Sequence, residues 1–165
     1  MFQSENEVLA EMLDYHRSFT LRALSDFSGD EFYQTFSANG KTLNSALWIA
    51  GHLATTENYL VLRSTGAEIV KFSWAKMFGM GAAIPGKEEY PPVEEVLQTL
   101  EKVHQACLDR IRNIRPEEMD LPTTTGFQIN GQGTFRGVIR HAIFHEGTHA
   151  GHLTWIQKML GKKTI

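Results

Sequence analysis

From Val93 to Ile114 apolar side chains recur every three or four residues: Val93, Val96, Leu97, Leu100, Val103, Cys107, Ile111 and Ile114. That spacing puts them on one face of a helix of about six turns. So one-sided a face has to be covered by other helices, and the chain carries three further helical periods to do it. Pro92 stands at a first-turn position, and Glu94 and Glu95 suit the positive end of the helix dipole. Pro116 ends the segment just beyond Arg110, Arg112 and Arg115.

The first period runs from about Glu5 to Leu24 and opens on a capping box, Ser4 facing Glu7. Its predicted buried stripe is Val8, Met12, His16, Phe19 and Ala23. The second begins after the Asn39-Gly40 turn, near Thr42, and runs to about Ser64. Leu43, Leu47, Trp48, Ile49, Leu53, Leu60 and Val61 make it apolar on nearly every side, which predicts a deep position. The fourth runs from about Phe135 to Leu160 and is closed by Gly161.

Roughly 27 residues rich in Gly, Met and aromatics separate the second and third helices. Antiparallel neighbours need a connection of only ~2–8 residues, so this length predicts a crossover between parallel helices or a functional loop. Phe72, Trp74, Met77 and Phe78 either wall an apolar pocket there or cover the end of the bundle. The Thr- and Gly-rich piece Leu121–Gly133 is a turn or a small hairpin. No run of strand is convincing elsewhere. The expectation is one all-α domain over residues 1–165.

Composition narrows the function. Hydrophobic content of 42% and charged content of 21% are ordinary for a soluble protein. A net charge of −3 gives no electrostatic footprint for nucleic acid. One cysteine, Cys107, rules out an internal disulfide and fits a reducing compartment. The acidic, amphipathic start MFQSENEVLAEM is unlike a signal peptide, and no stretch is apolar enough to span a membrane. A cytoplasmic location is expected.

Four of the seven histidines, His141, His145, His149 and His152, fall within twelve residues. Taking His141 as zero, the other three lie at about 40°, 80° and 20° around the helix. That face continues the line of Val138 and Ile156, so the imidazoles are predicted to point inward, where unpaired polar groups are costly. A metal ion would satisfy them; hydrogen bonds to the backbone or to one another are the other reading. His141 and His149 are about 12 Å apart along the axis, too far for one ion with bonds of about 2.0–2.1 Å. One ion takes 141/145 or 145/149, and His145 belongs to both pairs. The third ligand comes from His16, His52 or His104; spacing leaves all three open.

His145-Glu146-Gly147-Thr148-His149 also reads H-E-x-x-H, the zinc-protease pattern with Glu146 as general base. No Asp or Glu follows Glu146, and His152 and Trp155 occupy the places where the longer protease motif has Gly and His. A metallohydrolase is therefore the weaker alternative.

Two segments carry a family resemblance. Ala46-Leu47-Trp48-Ile49-Ala50-Gly51-His52-Leu53 and the run His141 to His152 resemble the second- and fourth-helix motifs of the DinB/YfiT-like family of bacterial four-helix metal proteins. The order of helices and the long second connection agree over essentially the whole chain. The resemblance implies a four-helix bundle in up-down-down-up order, with His52, His145 and His149 as ligands. In many members the last ligand opens a His-Arg-Gly-Gln run. Here Ala150, Gly151 and His152 follow His149, so a substrate contact through that Arg does not carry over. His152 stands in the place of the Gln, as a polar neighbour of the site or a cap on a backbone carbonyl.

Three neutral imidazoles leave an ion its charge and an open position, the arrangement of a catalytic site. His-only donor sets suit zinc, nickel, iron or copper; zinc or nickel is expected first, with iron or manganese as further candidates. The resemblance implies a thiol-dependent transferase or isomerase that uses a low-molecular-weight thiol such as bacillithiol or mycothiol, or a relative without a known reaction. The expected chemistry is activation of water or such a thiol, with Glu146 or His141 assisting proton transfer. A solvated helix position is the other reading of Glu146. The alternative function is a metal-binding or stress-response module without turnover. Expected partners are a small-molecule substrate and a second copy in a homodimer, with neither nucleic acid nor membrane.

Overall fold

A computed structural model describes residues 4–164, so the first three residues of the acidic N-terminal segment lie outside it. Helices α1 (Glu5–Leu24), α2 (Ala46–Glu57), α3 (Val93–Asn113) and α4 (Phe135–Met159) form the frame. Side-chain oxygens of Ser4, Ser45 and Thr134 accept the free amides of Glu7, Trp48 and Gly137 at the starts of α1, α2 and α4. Gly161, at φ +74°, ends α4: its amide bonds to the Lys158 carbonyl and that of Lys162 to Gln157. Pro92 is the residue before the first turn of α3 rather than within it. Among the described residues no helix is long and apolar enough to cross a membrane.

The second helix starts later than its hydrophobicity suggests. Asn39 and Gly40 both take positive φ, 50° and 72°, and close a two-residue turn between β1 (Ser37–Ala38) and β2 (Lys41–Thr42). Thr42 is therefore in a strand, and the helix waits for Ser45 to cap it. Past Glu57 the helix continues as a wider π-helical turn, Asn58–Arg63. Asn130 and Gly131 repeat the positive-φ turn inside the Leu121–Gly133 segment, which bridges Ile129 to Gln132.

Cross-helix pairs fix the directions. Along α1 and α4 the partners Glu5–Arg136, Arg17–Glu146 and Ala23–Gln157 rise together, so the two run parallel. Asn6 with Ile111 and Arg17 with Leu100 make α3 antiparallel to α1. Ser45 with Tyr90 and Glu57 with His104 make α2 parallel to α3. The order is up-down-down-up, and the long second connection is the crossover that parallel α2 and α3 require. Hydrogen bonds pin this crossover to the bundle: Asn58 clamps both backbone groups of Val70, and the Trp74 indole donates to Glu95. Trp74 and Phe78 are buried, with Phe72 and Met77 packed against them, so the aromatic segment fills core.

The buried face of α1 differs from its hydrophobic reading. Val8 and Met12 are 40% and 46% exposed, and of the predicted stripe Ala23 alone is fully buried. Leu9, Ala10, Leu13, Arg17, Thr20 and Leu24 face inward instead. The cause is a polar core that an apolar count assigns to solvent. The Arg17 guanidinium, 1% exposed, reaches Glu57 of α2 at 2.7 Å and both oxygens of Glu146 of α4 at 2.9 Å. It also donates to the Leu100 carbonyl of α3, while Thr20 donates to Glu146. His104 of α3 places one ring nitrogen 2.8 Å from Glu57 and the other 3.2 Å from Asp14. Carboxylates only accept, so both nitrogens carry protons and the ring is an imidazolium. Two buried cations thus balance Glu57 and Glu146, which is the condition for holding charge in a low-dielectric core.

Burial alone would pull the His104 pKa down and Arg17 repels its charge, yet the bonds to Glu57 and Asp14 outweigh both and raise it above 6.5. A folded-state value above the unfolded one gives stability that is complete below pH 6.5 and lost as pH rises through the raised value. Thermal melts of chelator-treated protein should therefore show the advantage of wild type over His104→Gln shrinking as pH rises from 6 to 9. Each kcal/mol lost corresponds to about 2–4 °C in Tm at this size. An advantage that stays constant or grows over that range overturns the imidazolium assignment.

Candidate metal centre

His52 sits in the second turn of α2, and α4 runs antiparallel across it. Position i of α2 therefore meets one turn of α4, and the His145–His149 pair supplies that turn. His52 is buried; His145 and His149 are half-buried. One ring nitrogen from each of the three lies within 4.8 Å of the others, the one such cluster of potential ligands among the described residues. His52 Nε2 and His145 Nε2 are 3.1 Å apart, close to the about 3.3 Å between tetrahedral ligands at zinc bond lengths.

The tautomer of His52 is fixed by the crossover. Its Nδ1 lies 2.8 Å from the Phe78 carbonyl, which can only accept, so Nδ1 carries the proton and Nε2 keeps its lone pair facing His145. Phe78 reaches that position because residue 51 is glycine: a Cβ there would stand 2.6 Å from the Phe78 ring. Trp48, one turn earlier, stacks on the His52 ring at 4.8 Å and 15°. His149 Nδ1 faces His152 Nδ1 at 3.3 Å, which leaves His149 Nε2 for the cluster.

Burial, more than any neighbour, keeps the imidazoles uncharged. It lowers the His145 pKa to about 4, helped by His52, His141 and His152. His149 falls to about 3 by burial, with His145, His52 and His152 adding to it. His52 is lowered by burial against the opposing Phe78 carbonyl. Three lone pairs are available at neutral pH, as a metal requires.

The remaining sequence candidates lie elsewhere. His141 is half-buried with its ring 6.0 Å from His145, and it is not one of the clustered three. His152 is exposed, so of the four histidines predicted to face inward three are half-buried, and two of those, His145 and His149, belong to the cluster. His104 is held in the Arg17 network and His16 packs over Gly147. Glu146 is 2% exposed, not solvated, and its oxygens receive Arg17 and Thr20. Its place one residue after His145 turns it about 100° away from the imidazole face. Sequence reasoning missed the Phe78 carbonyl, a backbone group that no residue type announces; Gly51 in mid-helix, unfavourable there by about 1 kcal/mol, was the available signal.

Residues 12–153 match the family model described as the DinB superfamily. Among curated proteins none matches the chain. Among solved structures, the crystal structure of the conserved protein of a locus from Enterococcus faecalis is similar at a TM-score of 0.67 and 15% identity, over 98% of this chain and 100% of that chain. At that identity the likeness shows the fold alone. The family match takes in most of α1, all of α2 and α3, and α4 through the histidine cluster, and on it the chain belongs to the DinB superfamily.

Proposed function

We propose that this is a metal-dependent enzyme in which His52, His145 and His149 hold one divalent ion, zinc or nickel foremost, and whose nucleophile is water or a low-molecular-weight thiol. The observation that carries the reading is the gathering of three uncharged imidazoles from α2 and α4 with no carboxylate among them. Bound there, an ion supplies Lewis acidity, lowering the pKa of a coordinated water or thiol towards neutrality. The donor set fits it: His52 is oriented by the Phe78 carbonyl and His149 by His152, the outer-shell pattern of ligating histidines. The buried indole N–H of Trp48, on the ring stacked over His52, has no acceptor among the described residues, and a ligand oxygen beside the cluster would satisfy it.

Proton transfer is assigned to His141, which neighbours His145 and keeps contact with solvent. Glu146 does not suit that task, because its oxygens are committed to Arg17 and Thr20. The same commitment weighs against peptide hydrolysis by an H-E-x-x-H mechanism, which needs that carboxylate on the metal's water.

Elemental analysis of the purified protein should find close to one equivalent of a divalent metal. His52→Ala, His145→Ala and His149→Ala should each lose it, whereas His141→Ala keeps it; loss with His141→Ala and retention with His149→Ala would reverse the ligand assignment. Transfer of a thiol onto an electrophile should depend on the metal and disappear in His145→Ala. A panel of thiols and electrophiles without metal-dependent turnover would leave a binding module in place of an enzyme. Gly51→Ala should push Phe78 off His52 and weaken metal retention by about 10–100-fold, measured by competition with a chromophoric chelator. Unchanged retention would remove the crossover from the site.

A further inference from the structure

The cleft between α2 and α4 does not end at the histidines. One turn further along, a cavity of about 320 Å³ opens beside His149 and His152. Ile49, one turn before His52, forms its floor with Ile156, and Leu43, Trp155 and Met159 form its rim. Those three rim residues are exposed, Trp155 by 64%, although each presents a large apolar side chain. Asn44 completes the lining, and among the described residues no lysine, arginine or carboxylate lines the cavity. Lys158 lies over the Trp155 ring, 5.1 Å from its centre, and is not among the lining residues.

Size and chemistry select an occupant. An apolar cavity of roughly 150 Å³ holds one benzene, so this one has room for a two-ring group. An ionised group placed against these walls would lose its hydration and find no countercharge, whereas an amide or carbonyl would find the side-chain amide of Asn44 and the imidazole of His152. His149 belongs both to this wall and to the histidine cluster, so an occupant lies next to the candidate metal position.

We propose that this cavity is the substrate pocket and that it takes an uncharged, ring-bearing organic molecule, the acceptor or donor of the group handled at the cluster. Its role as substrate pocket rests on the reading of the cluster as a metal centre; its selectivity for neutral rings does not. Charged low-molecular-weight thiols find no matching cation here, and this pocket serves their apolar co-substrate.

The test is equilibrium dialysis of the purified protein with three probes of one shape: 2-naphthamide, naphthalene-2-sulfonate and 2-naphthamidinium. Metal content is measured on the same samples. Naphthamide should bind at least about tenfold more tightly than either ion. Trp155→Ala should weaken it severalfold, and Asn44→Lys should turn the preference towards the sulfonate, both with unchanged thermal melts. Equal or tighter binding of the sulfonate to wild type overturns the proposal, as does a preference that Asn44→Lys leaves untouched. An affinity that falls as protein concentration rises also overturns it, because a second copy then covers the rim. Metal retained without the naphthamide preference sinks the pocket and spares the metal centre. The preference found on protein that holds no metal does the opposite.

Discussion

The guanidinium of Arg17 governs how the four helices stand against one another. Buried without partners it would cost several kcal/mol, so the fold is acceptable only in the register that brings Glu57 and Glu146 to it together. Glu57 follows His52 by five residues, about 7.5 Å along α2, and Glu146 adjoins His145. A slide of α2 against α4 that separated the histidines would also carry Glu57 or Glu146 away from Arg17. Apolar packing tolerates small slips; a buried charge with two fixed carboxylates does not. Its contribution is therefore positional, and the His104 imidazolium completes the balance from the remaining helix.

This accounts for a pair of neighbours with opposite tasks. His145 and Glu146 are consecutive, yet one faces the imidazole cluster and the other the polar core. A glutamate next to a ligating histidine reads as a general base in the zinc-protease motif. In this bundle the same two letters record a member of the imidazole cluster and the anchor that sets its helix. The motif match arises because both faces of α4 are occupied by polar work.

Much of the architecture was legible in advance because it is local. The ends of α3 and α4 follow from capping, from Pro116 and from Gly161, and the pairing of His145 with His149 was one of two options that axial rise allowed. What escaped the sequence was tertiary. Spacing could not separate His16, His52 and His104 as the third member of the cluster, since that depends on which helix, and which of its turns, meets His145 and His149. The inward face of α1 was misread because Arg17 and Thr20 lie at its centre, and a hydrophobic stripe cannot announce a buried ion pair. Thr42 looked helical because Leu43 and Leu47 extend the apolar run, while the Asn39-Gly40 turn commits the preceding chain to a hairpin.

The bond from His52 to the Phe78 carbonyl has a consequence for the crossover as a whole. It makes the orientation of the His52 imidazole and the conformation of one loop a single equilibrium. Whatever binds the cluster better with the crossover docked must stabilise that docking by the same free energy. The segment from Val70 to Tyr90 then behaves as a reporter: its susceptibility to protease and its amide exchange track occupancy of a site to which it contributes no side-chain ligand.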